Sequence, residues 1–145
     1  MNDTYTRRNT FERQHLIALV DHLTDDILNH PLEAGWTIAG VLAHLAFWDQ
    51  RALVLLKKWQ QEGIGPSMID VDVVNEATCL LCIALPPRVA AQLAIVTAEA
   101  IDRIIDQLDP AMITEIETNG QTVRLNRADH WREHLAQIEQ ALKMV

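Results

Sequence analysis

Glycine, proline and aromatic residues are scarce in this chain of 145 residues. It contains five glycines, five prolines, four tryptophans, two phenylalanines and one tyrosine. Sheet proteins depend on aromatic and β-branched strands joined by glycine- and proline-rich turns, so this composition favours helices. The length suits one hydrophobic core, and we expect a single domain over residues 1–145.

The sequence also lacks a long apolar run, a signal peptide and a block of basic residues. Charged residues interrupt its apolar segments well before the ~20 residues that cross a bilayer. The N-terminal sequence MNDTYTRRNTFERQ is polar, which predicts a cytoplasmic protein that is not attached to a membrane. The formal net charge of −8 and the scattered lysines and arginines argue against nucleic-acid binding.

Only two cysteines are present, Cys79 and Cys82, which excludes a disulfide framework. Their C-x-x-C spacing occurs in redox proteins, where the reactive thiol lies at a helix N-terminus. Here the pair falls inside an apolar helical segment, Ala77 to Leu85, which we expect to belong to the core. We therefore predict two buried, unreactive thiols.

Apolar residues recur with helical spacing in four segments of the chain. A first helix is predicted from about Thr10 to Asn29, and a second over Thr37–Glu62, with the threonine as N-cap. A third segment covers about Val71–Leu108, with a kink or a helix break at Pro86-Pro87. Asn126 is the predicted N-cap of the last helix. Four helices joined by short or moderate loops predict an all-α four-helix bundle.

The segment from Asp109 to Leu125 has no clear periodicity. Asp109-Pro110 predicts the start of a short helix, since aspartate is a good N-cap and proline is favoured at the first helical position. Asn119-Gly120 is a turn signal. We therefore expect a short irregular or hairpin segment before the last helix.

Two histidines, His130 and His134, lie four residues apart in the last predicted helix. This spacing puts both rings on one face, at the edge of the apolar stripe and within reach of one metal ion. His44 falls on the apolar face of the second helix, where a buried imidazole needs a polar partner. Three imidazoles with an open position are a common catalytic arrangement for zinc, and imidazole also suits nickel or iron. On spacing alone, a solvated histidine pair and a hydrogen-bonded core histidine explain the same residues.

The residues from His130 to His134 also fit the pattern H-x-x-E-H of inverzincin proteases. That pattern needs a further ligand from a later helix, and only eleven residues follow His134. We therefore do not expect a zinc protease. Glu133 remains a candidate catalytic residue, either as a base or as a group that orients a metal ligand.

Several short sequences occur in an order that is typical of one family. They are Trp36-Thr37, then VLAHLAFWDQR, then VDVVNEA, and finally HWREHLAQIEQAL. In these motifs the chain resembles the DinB/YfiT-like superfamily over nearly its whole length. The resemblance implies a four-helix bundle with an up-down-down-up order. It also implies a divalent metal ion, which we expect to be zinc or nickel, held by His44, His130 and His134.

The same resemblance implies a class of function. Some relatives are thiol-dependent transferases or isomerases that use mycothiol, bacillithiol or glutathione, and dimers are frequent among them. The sequence shows no second domain of the kind found in the mycothiol-dependent isomerases, which argues against that activity. We therefore expect a metal-dependent enzyme that forms a homodimer and acts on a small-molecule substrate, as a thiol transferase or a hydrolase.

Two other interpretations remain open. The protein can be a non-catalytic bundle that binds a small ligand or serves in a stress response, with structural histidines. It can also be a plain homodimer in which Trp36 or Trp59 packs at the interface. An enzyme requires an open coordination position that faces a pocket, whereas a structural metal site is closed.

Overall fold

The computed structural model describes residues 3–144, and of Asp3 it describes the backbone only. This part of the chain forms seven α-helices and no β-strand, which confirms the predicted all-α class. The helices are α1 (Asp3–Asp21), α2 (Asp25–Leu28), α3 (Ile38–Glu62), α4 (Val71–Ala84), α5 (Pro87–Asp106), α6 (Pro110–Thr118) and α7 (Ala128–Leu142). Short 3-10 turns lie at Glu33–Gly35 and Thr122–Arg124.

The first predicted helix is two helices in the structure. α1 begins earlier and ends earlier than the predicted range Thr10–Asn29. The side chain of Thr24 accepts a hydrogen bond from the backbone N–H of Ile27 (3.3 Å) and so starts the short α2. Arg88 of α5 donates to the carbonyl oxygen of Leu23 (2.7 Å), just after the end of α1. The apolar periodicity continues through this segment, but the cap at Thr24 and the guanidinium of Arg88 end one helix and start another.

α3 is the central helix and matches its prediction. Oγ1 of Thr37 accepts a hydrogen bond from the backbone N–H of Gly40 (2.9 Å), and Gly63, with φ of 91°, ends the helix. α3 is long and apolar enough to cross a membrane by length and composition, but 72% of its most apolar window is buried inside the protein. Such burial is typical of the core helix of a soluble protein. Trp59 lies in this core, which removes it as a candidate interface residue.

Pro86-Pro87 separates two helices, so the third predicted segment is α4 followed by α5. α4 runs antiparallel to α3, because Trp48 Nε1 donates to Asn75 Oδ1 (2.9 Å) while Gly40 lies against Ile83. A Cβ at position 40 would come within 3.0 Å of the Ile83 side chain. Glycine at this position therefore lets α4 pack closely on α3.

The outward face of α4 is exposed, which contradicts the prediction that Ala77–Leu85 belongs to the core. Leu80 and Leu81 are 74% and 70% exposed. Cys82 is buried as predicted, but Cys79 is only half-buried, so the expectation of two buried thiols is wrong for Cys79. The physical reason is that α4 packs mainly against α3, on one side only.

The segment before α7 contains no hairpin within residues 3–144. Asp109 caps α6 as predicted, since its Oδ1 accepts a hydrogen bond from the first turn of the helix (3.0 Å). Asn119-Gly120 ends α6 instead of turning a hairpin, because the glycine (φ 70°) takes the left-handed conformation of a helix C-terminus. α7 begins at Ala128, so Asn126 lies one residue before the N-cap position, but its Oδ1 still accepts a hydrogen bond from the backbone N–H of Asp129 (3.4 Å).

Contacts between side chains give the directions of the long helices. α1 is antiparallel to α5, since Arg13 pairs with Asp102 (2.7 Å) and Thr6 donates to Asp106 (3.3 Å). α7 is parallel to α1 and antiparallel to α3.

The most extensive contact joins α3 to α5, and small side chains at a helix contact allow close approach. Four alanines of α5 are fully buried: Ala90, Ala91, Ala94 and Ala98.

Candidate metal centre

Three histidines from two helices meet in one place. His44 belongs to α3, and His130 and His134 lie about one turn apart in α7. One ring nitrogen of each histidine lies within 4.8 Å of the others, and Nε2 of His44 is 3.2 Å from Nε2 of His130. Two nitrogens bound to one tetrahedral zinc ion, each at about 2.0–2.1 Å, lie about 3.3 Å apart. The spacing of His44 and His130 therefore fits a shared metal ion, and a nitrogen of His134 lies within 4.8 Å of both.

Burial keeps two of these imidazoles neutral. It lowers the pKa of His44 to about 4, and the nearby His134 acts in the same direction. It lowers the pKa of His130 to about 2, and His134, Arg127 and His44 add to the effect. Metal ions bind the neutral form of imidazole. At neutral pH, protons therefore do not compete with a metal ion for these two rings.

The hydrogen bonds of the three histidines are incomplete. Nδ1 of His134 lies 3.0 Å from Oε1 of Gln137 and donates to it, so Nε2 is the nitrogen of this ring without a hydrogen-bond partner among residues 3–144. Nδ1 of His44 and Nδ1 of His130 are buried and have no partner among the residues described. A neutral pair of rings shares one proton between its Nε2 atoms, which leaves an Nδ1–H without an acceptor on one of them. The facing Nε2 atoms are the nitrogens that a shared metal ion would bridge, and the two buried Nδ1 atoms point away from that contact.

The three rings line a pocket of about 690 Å³. Trp36 and Trp48 pack edge-on against His44, with ring centroids 5.5 and 6.5 Å away. Glu133 lines the same pocket and is exposed to solvent. Apolar and polar side chains complete the lining, among them Val41, Ile69, Val71, Asn75, Val123 and Arg124. A smaller pocket of about 260 Å³ lies between α1 and α5, and no histidine lines it.

The model of the DinB superfamily matches residues 8–141 of this sequence. The chain belongs to the DinB superfamily. No curated protein and no solved structure matches it significantly. The predicted family is therefore confirmed, and the three histidines expected from the resemblance are the ones that lie together in this DinB protein.

A buried ion pair fixes α7 against α3 in this DinB protein. Asp49 of α3 is fully buried, and its Oδ1 accepts a hydrogen bond from Nε of Arg127 (2.9 Å). Its Oδ2 accepts from Nε1 of Trp131 (2.6 Å). Burial raises the pKa of Asp49, whereas the charge of Arg127 and the two hydrogen bonds act in the opposite direction. Both carboxylate oxygens have donors, so the pair is satisfied within the protein.

Asn9 of α1 completes this network. Its Oδ1 accepts from the backbone N–H groups of Arg127 (3.0 Å) and Ala128 (2.9 Å), and its Nδ2 donates to the carbonyl oxygen of Leu125 (2.9 Å). A side chain from another helix therefore satisfies the N–H groups of the N-cap residue and of the first residue of α7, which have no acceptor within the helix. We call this network the α7 anchor, and its members are Asn9, Asp49, Arg127 and Trp131.

The α7 anchor sets the register in which the histidines meet. Asp49 follows His44 by five residues in α3. Arg127 and Trp131 flank His130 in α7, three residues before it and one after. Because the two helices are antiparallel, the ion pair holds the imidazoles of the two helices at the same level.

Asn9, Asp49 and Arg127 were not predicted from the sequence as functional residues. A signal for Asp49 exists, because it shares the apolar face of α3 with Leu45 and Ala52, and a carboxylate there indicates a buried partner. The partner itself lies 78 residues away in the sequence. Nothing in the local sequence marks Asn9 as a buried cap.

Proposed function

We propose that this DinB protein is a divalent-metal-dependent enzyme in which His44, His130 and His134 hold zinc or nickel. The observation that carries the proposal is the approach of three ring nitrogens to within 4.8 Å at the wall of a pocket. The neutral state of His44 and His130 supports it, since a metal ion requires unprotonated nitrogen. Three protein ligands leave room for a substrate atom, as in catalytic zinc sites.

The proposed reaction is transfer of a small-molecule thiol, or hydrolysis. The bound metal acts as a Lewis acid that lowers the pKa of a thiol or a water molecule. Glu133, exposed at the pocket, is the carboxylate of this chain that accepts the released proton. Trp36 and Trp48 shield one side of His44 from solvent. The competing interpretation is a non-catalytic small-ligand-binding or stress-response protein whose histidines are structural.

Elemental analysis tests the metal centre. We expect about one divalent ion per chain in the wild type, by the ligand count of a three-histidine site, and loss of the ion in His44→Ala, His130→Ala and His134→Ala. His22→Ala removes an exposed histidine just after the end of α1 and is the matched control, which should keep the metal. Equal metal contents in all of these proteins would contradict the proposal.

Removing the metal with a chelator distinguishes a catalytic metal site from a structural one. We expect the metal-free protein to stay helical by circular dichroism, with a lower melting temperature than the metal form. The reason is that the apolar core packs around α3 and does not depend on one ion. Unfolding on chelation would instead make the metal structural.

We also infer that α1, α3, α5 and α7 form a four-helix bundle with the up-down-down-up order that the resemblance implies. The contact directions support this order, since α1 and α7 run one way while α3 and α5 run the other. α4 returns the chain from the end of α3 to the start of α5. Long-range nuclear Overhauser contacts that place α1 antiparallel to α7 would contradict it.

We propose that the protein is a homodimer formed through the outward face of α4. Val73, Leu80 and Leu81 on this face are exposed, with the small Ala77 and Ala84 between them, all within about 100° of the helix circumference. The formal net charge of −8 makes two copies repel each other, but this face carries no charge. In a dimer with a two-fold axis, this face of one subunit packs against the same face of the other. The contact removes the apolar side chains of both from water.

Sedimentation analysis tests this interface. We expect a dimer that Leu80→Glu converts to monomer, because it buries a charge at the contact. Val54→Glu changes an exposed apolar residue of α3 and should leave the dimer intact. A monomeric wild type, or equal behaviour of the two variants, would exclude the α4 interface.

We propose a cytoplasmic location, because α3, the helix of residues 3–144 that is long and apolar enough to cross a membrane, is mostly buried inside the protein. Fractionation of cells that express the chain tests the proposal, and recovery in an exported or membrane fraction would overturn it.

A further inference from the structure

Two arginine side chains from distant parts of the chain meet at one serine. Arg51 belongs to α3, Arg124 ends the 3-10 turn before α7, and Ser67 lies in the loop between α3 and α4. Nη2 of Arg51 donates to Oγ of Ser67 (2.6 Å), and Nη2 of Arg124 donates to the carbonyl oxygen of the same residue (3.3 Å). Ser67 therefore holds two guanidinium groups beside each other.

The positive charges at this place lie close enough to repel one another. Burial lowers the pKa of Arg124 to about 10, and the charges of Arg51 and Arg127 act in the same direction. Arg127 pairs with Asp49, whereas Arg51 and Arg124 form no ion pair with a carboxylate of residues 3–144. Two guanidinium groups are therefore charged at neutral pH and have no counter-ion within the described residues.

The same place also has hydrogen-bond donors without acceptors. Nη1 of Arg51 and Nε of Arg124 are buried and have no partner in the described part of the chain. Oγ of Ser67 is the acceptor in its contact with Arg51, so the hydroxyl proton is free to be donated elsewhere. A buried charged donor without an acceptor is costly. Guanidinium groups and a hydroxyl are the donors that an oxyanion accepts in proteins.

An open groove along the surface of α3 includes Arg51. Its volume is about 430 Å³, and its apolar wall is formed by Phe47, Val54 and Leu55. Lys58 adds a second positive charge, and no carboxylate of the described residues lines the groove. An anion is therefore attracted to this side of α3, although the protein as a whole has a formal net charge of −8.

We propose that Arg51, Arg124 and Ser67 bind a phosphate group, either free inorganic phosphate or the phosphate of a monoester whose apolar part lies along the groove of α3. A phosphate monoester carries about 1.5 to 2 negative charges at neutral pH and three acceptor oxygens. Its charge balances the two guanidinium groups, and its oxygens accept from them and from the hydroxyl of Ser67. None of the three residues belongs to the proposed metal centre, so the inference does not depend on it.

Titration of the chelated, metal-free protein with inorganic phosphate and with phenyl phosphate, at constant ionic strength, tests the inference. Chelation removes any metal ion that would itself bind phosphate. We expect saturable changes of the nuclear magnetic resonance signals of the Nε–H groups of Arg51 and Arg124 and of the backbone N–H of Ser67. Arg51→Gln and Arg124→Gln should each weaken binding about tenfold, which corresponds to roughly 1.4 kcal/mol. Arg103→Gln removes an exposed arginine of α5 with the same change of net charge and should bind as the wild type does.

The outcomes decide both the site and the source of the phosphate. Signal changes that do not saturate, or equal affinities in the wild type and in both Arg51→Gln and Arg124→Gln, would overturn the site. Tighter binding of phenyl phosphate supports a monoester, and equal saturable binding of the two compounds supports inorganic phosphate.

Two further measurements keep the test independent of folding and of the metal. If Arg124→Gln does not fold, Ser67→Ala removes a donor without a change of charge and should weaken binding as well, and unchanged affinity would count against the site. If chelation unfolds the protein, the protein as purified is titrated instead, and the same comparison of variants decides. A metal-free protein that binds phosphate but no divalent ion would refute the proposed metal centre and keep this inference.

Discussion

The α7 anchor and the histidine cluster (His44, His130 and His134) lie along the same contact between α3 and α7, but they differ in how their polar atoms are satisfied. In the anchor, each oxygen of Asp49 has a donor, and the first N–H groups of α7 have acceptors. In the cluster, Nε2 of His44 and Nε2 of His130 face each other at 3.2 Å, and two Nδ1 atoms are buried without a partner among residues 3–144. A complete network stabilises the contact, whereas facing imidazole nitrogens are atoms that a metal ion can bridge. The anchor therefore holds the two helices together, and the cluster offers the binding groups.

Breaking the anchor at Asp49 should have the largest effect. Asp49→Ala leaves the guanidinium of Arg127 buried without its carboxylate, and we expect the free energy of unfolding to fall by about 3–5 kcal/mol. Urea denaturation followed by circular dichroism measures the change. Asp21→Ala, at an exposed aspartate of α1, should stay within about 0.5 kcal/mol of the wild type. Similar losses in both variants would mean that the anchor has no special role.

Removing the cap that Asn9 provides should cost less. Asn9→Ala leaves two backbone N–H groups of α7 and the carbonyl of Leu125 without their partner, so we expect a loss of about 1–3 kcal/mol. Amide hydrogen exchange should also become faster in the first turn of α7 than in α3. Asn29→Ala, at an exposed position after α2, is the control. Unchanged exchange at α7 in Asn9→Ala would refute the assigned cap.

Acid should lower the free energy of unfolding of the metal-free protein through its histidine cluster. The pKa of His44 falls from its usual 6.5 to about 4 on folding, and that of His130 falls to about 2, mainly through burial. The unfolded chain therefore binds more protons just below pH 6.5, so stability is full above that pH and is lost as the pH falls toward the folded values. We expect a loss of about 1 kcal/mol per pH unit after allowance for solvent screening. Urea unfolding at several pH values measures the slope, and a flat profile between pH 6.5 and 5 would contradict it.

Replacing a cluster histidine by an apolar residue should have the smallest effect on the metal-free fold. His44→Leu removes a buried imidazole whose Nδ1 has no partner, and we expect a change within about 1 kcal/mol, in either direction. The same variant should bind no metal. A loss of stability as large as that of Asp49→Ala would show that the cluster, like the anchor, stabilises the fold by itself.

Elements with signals at both ends were predicted well from sequence. α3 has Thr37 at its start and Gly63 at its end, and both act as predicted. Of the two alternatives for the segment before α7, irregular or hairpin, the hairpin at Asn119-Gly120 was wrong, because a glycine with positive φ serves a helix C-terminus as readily as a hairpin turn. The break between α1 and α2 was missed for another reason, since Arg88 acts on Leu23 from 65 residues away.

Periodicity showed that α4 is a helix but did not show which face is covered. Leu80 and Leu81 have the spacing of core residues, yet only one side of α4 packs on α3. A hydrophobic stripe shows which side of a helix is apolar. Whether another helix covers that side depends on how the other helices pack.

The sequence by itself determined the all-α class, the caps of α3 and α6, and the three histidines with their places on two helix faces. These features depend on residues a few positions apart, where helix geometry alone sets the spacing. The tertiary structure decided that the histidines meet, that Asp49 pairs with Arg127, and that Asn9 caps α7. These contacts join residues separated by 78 to 119 positions, and their geometry is set by the way the helices pack together.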